Sequence, residues 1–249
     1  MFRVYCLKLL VSAATNFKPQ TSNLKPFNLK LYLKITCILF LFITIIGGLL
    51  IPVPRLAILN ETIRNLFFHV PMWFSMIAVL IASLFYSFKF LSKNDLDLDV
   101  KAEEYARVGI VFGILGLLTG SLWAKYTWGA WWTNDVKLNG AAATMLVYFA
   151  YFLLRNSIDD EQKRARISAV YSIFAFALMT VFIFILPRLT DSLHPGNGGN
   201  PAFAKYDLDS NMRLIFYPAV IGSSLLAFWI ADIRIRLHKI NNQIEESQS

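Results

Sequence analysis

The residues of this 249-residue chain best suited to chemistry are three histidines, two cysteines and a dense group of tryptophans. His69 stands in Phe67-Phe68-His69-Val70-Pro71, at the start of an uncharged apolar run. A proline just inside a helix start is favoured because its missing N–H has no partner to satisfy there. The positive end of the helix dipole disfavours imidazolium at such a position, and neutral imidazole is the form that ligates metals. His194 stands in Asp191-Ser192-Leu193-His194-Pro195. His238 follows the last apolar run among Arg234, Arg236 and Lys239 and reads as a surface residue. Cys6 and Cys37 form no CxxC pair, so neither a thiol relay nor a zinc site is encoded, and Cys37 reads as a packing residue.

A lone histidine at a helix end is usually structural, so the case for ligation depends on a third element. Residues 123–137 hold four of the six tryptophans within ten positions: Trp123, Trp128, Trp131 and Trp132. An interfacial belt needs one or two such rings per helix end. It does not need a loop cluster with an embedded glycine, Gly129, and a following acid, Asp135. A flat aromatic surface beside two neutral imidazoles suits haem, with tryptophans against the porphyrin plane and histidines as axial ligands. Arg64, Lys125, Lys137 and Arg188 are the cations near enough in sequence to pair with propionates. Asp135 has two readings, a cap for backbone amides of the loop or a direct haem contact.

Hydrophobic residues make up 56 % of the chain and charged residues 16 %, against about 45–50 % and about 25 % in soluble proteins. These figures exclude disorder, two cysteines are too few for a disulfide scaffold, and uncharged apolar runs along the whole length argue against a soluble fold. Six runs are long and apolar enough to cross a bilayer core of about 30 Å: residues 33–51, 68–88, 108–124, 138–154, 167–187 and 212–231. Run length favours helices over barrel strands. The predicted fold is therefore an all-α integral membrane protein, a bundle of six transmembrane helices. Of the 24 Lys and Arg, 17 fall in the two termini and the 89–107 and 155–166 loops, and 7 fall in the other three loops. The positive-inside rule then places both termini in the cytoplasm and His69, His194 and the tryptophan loop on the outer face. The net charge of +8 thus reports topology, and nucleic acid is not an expected partner. Gly109, Gly113, Gly116 and Gly120 share one face of the third span, which reads as a helix-packing face. Residues 94–104 mix Asp, Glu and Lys and read as a solvated connection.

The loop from Trp128 to Lys137 resembles the tryptophan-rich WWD signature of haem-handling proteins of cytochrome c maturation. Together with Arg64, the Phe-His-Val-Pro segment at His69, the Leu-His at 193–194 and the span order, the chain resembles the haem exporter protein C family over about residues 30–240. The resemblance implies haem b bound as cargo at the periplasmic side of the bacterial inner membrane. It implies His69 and His194 as iron ligands, with Trp128, Gly129, Trp131, Trp132 and Asp135 as the cradle. It also implies an ABC-type ATPase with its membrane subunits as partners, and a membrane-anchored periplasmic haem chaperone as recipient. Two positions depart from the pattern: Asn134 stands where it has a third tryptophan, and Lys137 where it has arginine. Lysine keeps the charge and loses the planar fork.

The chain then divides into a cytoplasmic lead-in (1–32), a six-span haem-handling domain (33–233) and a cytoplasmic tail (234–249). Two imidazoles on one iron leave no open position, so the expected activity is binding and handover, not catalysis. The alternative is a component of a haem lyase of the same superfamily, which needs histidines within the membrane. No nucleotide-binding G-x-x-x-x-G-K-[ST] is present, so an ATP-driven step belongs to a partner. His69, on a helix start, is expected to be the fixed ligand, and His194, beside the Gly-rich 195–201 segment, the mobile one.

Overall fold

A computed structural model describes residues 29–55, 59–194 and 208–248. The described residues are helical apart from turns and connections, with six helices long and apolar enough to cross a membrane. They are α1 (Leu29–Leu50), α2 (Leu66–Lys93), α3 (Leu96–Trp128), α4 (Val136–Asn156), α5 (Glu161–Thr180) and α6 (Ser210–Gln248). A 3-10 turn, Asn60–Asn65, leads into α2. A π-helical turn, Val181–Ile185, carries α5 without interruption into a last helical turn, Leu186–Leu189. The chain falls into two compact units, Met1–Tyr32 and Leu33–Ser249, and the helical bundle belongs to the second.

The helix starts are written in the sequence. Asp95, Asp135 and Asp160 each accept a hydrogen bond from a first-turn amide, satisfying donors that have no partner inside the helix. Asn94 adopts the left-handed conformation (φ 51°) and its N–H returns to Phe90 O, which ends α2 and lets α3 fold back on it. The core lies where α2, α3, α4, α5 and α6 meet, around Met76, Leu80, Phe112, Met145, Tyr148 and Met179. A second cluster, Ile63, Phe67, Met212, Ile215 and Phe216, seats the 3-10 turn against α6. Cys37 is buried beside Gly222, whose carbonyl accepts from its Sγ at 3.4 Å.

Two expectations need correction. Residues 94–104 are not a solvated connection: α3 begins at Leu96, and Asp99, Glu103 and Glu104 are buried. Their charges are taken up by Arg155, which bonds Asp99 at 2.9 and 2.5 Å and Glu103 at 2.8 Å, and by Arg234, which bonds Glu104 at 2.5 Å. Nor is His238 a free surface residue, because its Nδ1 lies 3.1 Å from Glu104. Pro71 sits in the second turn of α2, one turn past its start. Its carbonyl accepts from Ser75 Oγ at 2.8 Å. The third and sixth helices also outrun their apolar cores. At ~1.5 Å per residue the 39 residues of α6 extend about 58 Å, well beyond a bilayer core of about 30 Å.

Candidate functional site

A cavity of about 400 Å³ opens between α2, α3, α4 and the segment that follows α5. This lies within the range of ~300–1,000 Å³ usual for small-molecule sites. Both predicted ligands, His69 and His194, line it, together with Trp73, Trp123, Trp128 and Trp132. The remaining wall is mostly small or aliphatic, including Gly116, Leu117, Gly120, Leu138, Ala141 and Ile183, and Lys137 also lines it.

His69 is delivered by the first turn of α2 and packs closely against α3. A Cβ added at Gly120 would lie 2.6 Å from the Cε1 of His69, and one at Gly116 would lie 2.8 Å from the Trp73 ring. Part of the glycine stripe therefore makes room for the site, while Gly109 and Gly113 serve core packing against Leu80 and Met145. Trp73 and Trp123 stand edge-on to the His69 ring, with centroids at 6.3 and 5.9 Å. Trp123 is itself held by Nε1 donating to Thr62 Oγ1 at 3.3 Å.

His194 is held from the other side by Asp135. The carboxylate accepts from the His194 Nδ1 at 3.0 Å, the Leu193 N–H at 2.8 Å and the Ser192 hydroxyl at 2.9 Å. The same carboxylate caps α4, accepting from the N–H of Lys137 and of Leu138. Asp135 is thus both the amide cap of one reading and the support of a histidine. Its side chain is almost wholly buried. Burial opposes its ionisation, but bonds from Leu193 and Ser192, the His194 ring and the Lys137 amide hold its pKa below the usual carboxylate range. Burial depresses the pKa of His194, Asp135 opposing and Lys137 assisting, and the imidazole stays neutral at pH 7. Because a carboxylate only accepts, the proton of neutral His194 is on Nδ1 and its lone pair on Nε2. Trp128 meets this ring edge-on at 4.8 Å. Each histidine thus has a side-chain oxygen beside its Nδ1, while residues 195–201, on which the expected mobility of His194 turned, lie outside the described ones.

The other predicted residues take different places. Gly129 ends α3 in the left-handed region (φ 82°), which sets the reversal between Trp128 and Trp131. Trp131 is 57 % exposed and is not part of the cavity wall; its carbonyl accepts from Ser121. Trp132 donates to Asn139 Oδ1 at 3.3 Å, and Asn139 donates to Asn134 at 2.7 Å. The asparagine that replaces the third tryptophan thereby helps to fix Trp132. Arg64 is not on the wall either. It bonds the carbonyls of Gly48 and Ile51 at 3.2 and 2.7 Å and pairs with Glu61, joining the end of α1 to the 3-10 turn. Lys125 Nζ donates to Gly129 O at 3.1 Å. Sequence reading missed Trp73, Trp123 as a His69 contact, and the two cavity glycines. Trp73 is one helical turn from His69, which is the signal that could have found it.

The donor set bears on what can bind. Among the described residues no group of three or more His, Cys, Asp or Glu side chains converges as a metal site. Two imidazoles in an aromatic, apolar cavity fit a metal that brings its own equatorial ligands.

Fold and cavity together define a multi-pass membrane protein with a tryptophan-walled cavity bearing two imidazoles. The chain belongs to the heme exporter protein C family, whose profile matches residues 11–249. Curated relatives include the heme exporter protein C of Bradyrhizobium diazoefficiens, 34 % identical over 46 % of this chain and 43 % of that protein. Those of Paracoccus denitrificans and Escherichia coli K12 are 24 % identical, over 55 % and 53 % of this chain and 57 % and 51 % of theirs. The chain spans about half the length of the curated relatives it matches.

Proposed function

We propose that this protein holds haem b as cargo between His69 and His194 at the outer face of the bacterial inner membrane, for use in cytochrome c maturation. One observation carries the reading: two imidazoles from distant parts of the chain line one aromatic cavity, each with a side-chain oxygen within hydrogen-bond reach of its Nδ1. Metal-bound histidines are held in this way through the nitrogen that does not ligate. Trp128 and Trp132, on the cavity wall, supply the aromatic surface, and Lys137, which also lines it, supplies a cation for a propionate. Trp131, 57 % exposed, offers its ring to a partner more readily than to the cavity. With both axial positions taken by protein there is no place for substrate on iron, so the protein delivers haem and does not transform it. An ABC-type ATPase with its membrane subunits and a membrane-anchored periplasmic chaperone are the partners such delivery needs. Both termini are cytoplasmic in this reading.

The test is an absorption spectrum of the detergent-purified protein, ferric and dithionite-reduced, beside His69→Ala and His194→Ala. Sharp low-spin bands in the wild type, lost or broadened in each variant, are expected. A wild type that stays haem-free after expression with excess haem would sink the proposal.

A further inference from the structure

Thr119 lies on the face of α3 between Gly116 and Gly120, with its Oγ1 3.1 Å from the Nδ1 of His69. A threonine hydroxyl has one proton to give. Here the Oγ1 reaches backbone carbonyls of its own helix, Leu115 O at 2.7 Å and Gly116 O at 3.2 Å. With that proton spent on a carbonyl, the contact to His69 is one in which the ring donates, and the Gly116 carbonyl stands as a second acceptor beside the same ring. Were the hydroxyl to donate instead, the ring proton would sit on Nε2 and occupy the lone pair a metal needs. We propose that Thr119 is a positioning residue that fixes His69 with its proton on Nδ1 and its lone pair on Nε2; this rests on the haem-holding function above.

The geometry around Thr119 supports an aligning role. Its own carbonyl accepts from Asn65 Nδ2 at 2.8 Å. Asn65 and His69 are one turn apart on the same side of the chain, so two side chains grip one residue of α3. The glycines on either side of Thr119 bring the ring close enough for the bond. The partners of the two histidines are also unequal. Asp135 presents a charged acceptor to His194, whereas Thr119 presents a neutral one to His69. A carboxylate partner raises the basicity of the ligating nitrogen more than a hydroxyl does. His194 is thereby the stronger axial donor and His69 the weaker.

The test uses the full chain, labelled with ¹⁵N-histidine and haem-free, in wild type, Thr119→Val and Thr119→Ser, with His69→Ala to assign the signals. The expected ¹⁵N shifts place the His69 proton on Nδ1 in the wild type and Thr119→Ser, and show a mixture in Thr119→Val. A His69 protonated on Nε2 in the wild type would overturn the proposal, even if Thr119→Val failed to fold; so would a Thr119→Val spectrum identical to wild type. In haem-loaded protein, transfer to a soluble scavenger is expected to be about tenfold faster in Thr119→Val, the low end of the ~10–100-fold typical of such supporting bonds. It is expected to be near wild type in Thr119→Ser, and equal rates for all three would also count against Thr119. A wild type that binds no haem contradicts the proposed function alone, because the tautomer is read without haem.

Discussion

Asp135 concentrates more structure in one side chain than any other residue of the site. It caps α4, fixes Ser192 and Leu193, and orients His194. An N-cap alone is worth about 0.5–2 kcal/mol. Asp135→Asn keeps the shape but leaves a weaker, neutral acceptor, so haem affinity at pH 7 is expected to fall about 10–100-fold, measured by haem titration. The folded-state pKa of Asp135 lies below its ordinary value of 3.8. A carboxyl depressed on folding contributes stability above the unfolded pKa and loses it as pH falls through the folded one. Fluorescence of the haem-free protein, in which Trp128 abuts His194, is therefore expected to change only below about pH 4 on account of Asp135. In Asp135→Asn the altered signal is expected already at pH 7. A carboxyl titration assigned to Asp135 itself near pH 5 in the wild type would contradict the argument.

On the scale of the helix, the four glycines of α3 carry two different duties. Gly109 faces the branched end of the buried Leu80, and Gly120 faces the edge of the His69 ring. Gly109→Ala is expected to lower thermal stability in detergent and leave the haem spectrum intact. Gly120→Ala pushes the ring off its seat and is expected to lose the low-spin bands. Identical spectra for the two variants would show that the stripe is packing alone. The spans, the Asp135 cap and the two histidines of the cavity were legible in the sequence, because run length, Asp before a helix and histidine beside a tryptophan cluster are local signals. The acidic stretch at the start of α3 was not. Charge in a sequence signals solvent unless the partner is known, and the partner Arg155 is 52 residues beyond Glu103. Arg64 misled in the same way: its position near His69 suggested a propionate partner, but its guanidinium reaches the end of α1. Thr119 left no signal because its role is a bond across helices.

For the molecule as a whole, the buried ion pairs and the cavity occupy opposite ends of α3. Arg155 and its partners Asp99 and Glu103 have side-chain exposures of only 4, 5 and 7 %. Removing one member strands buried charge, so Arg155→Met is expected to cost about 3–5 kcal/mol and to lower Tm strongly. Lys239→Ala removes the exposed pair with Asp97 and is expected to cost about 0–1 kcal/mol. Comparable losses in both variants would mean that burial does not set the cost. The π turn in α5 has a consequence for the cavity at the other end. One residue more or fewer in a helix rotates everything after it by about 100°. Val181–Ile185 stands between the body of α5 and the segment that carries His194, and its Phe182 carbonyl would lie 2.5 Å from a Cβ at Gly140. The direction from which His194 meets the cavity is thus a matter of counting. A chain one residue shorter at this point would cross the membrane as before, with the second imidazole out of phase with the first.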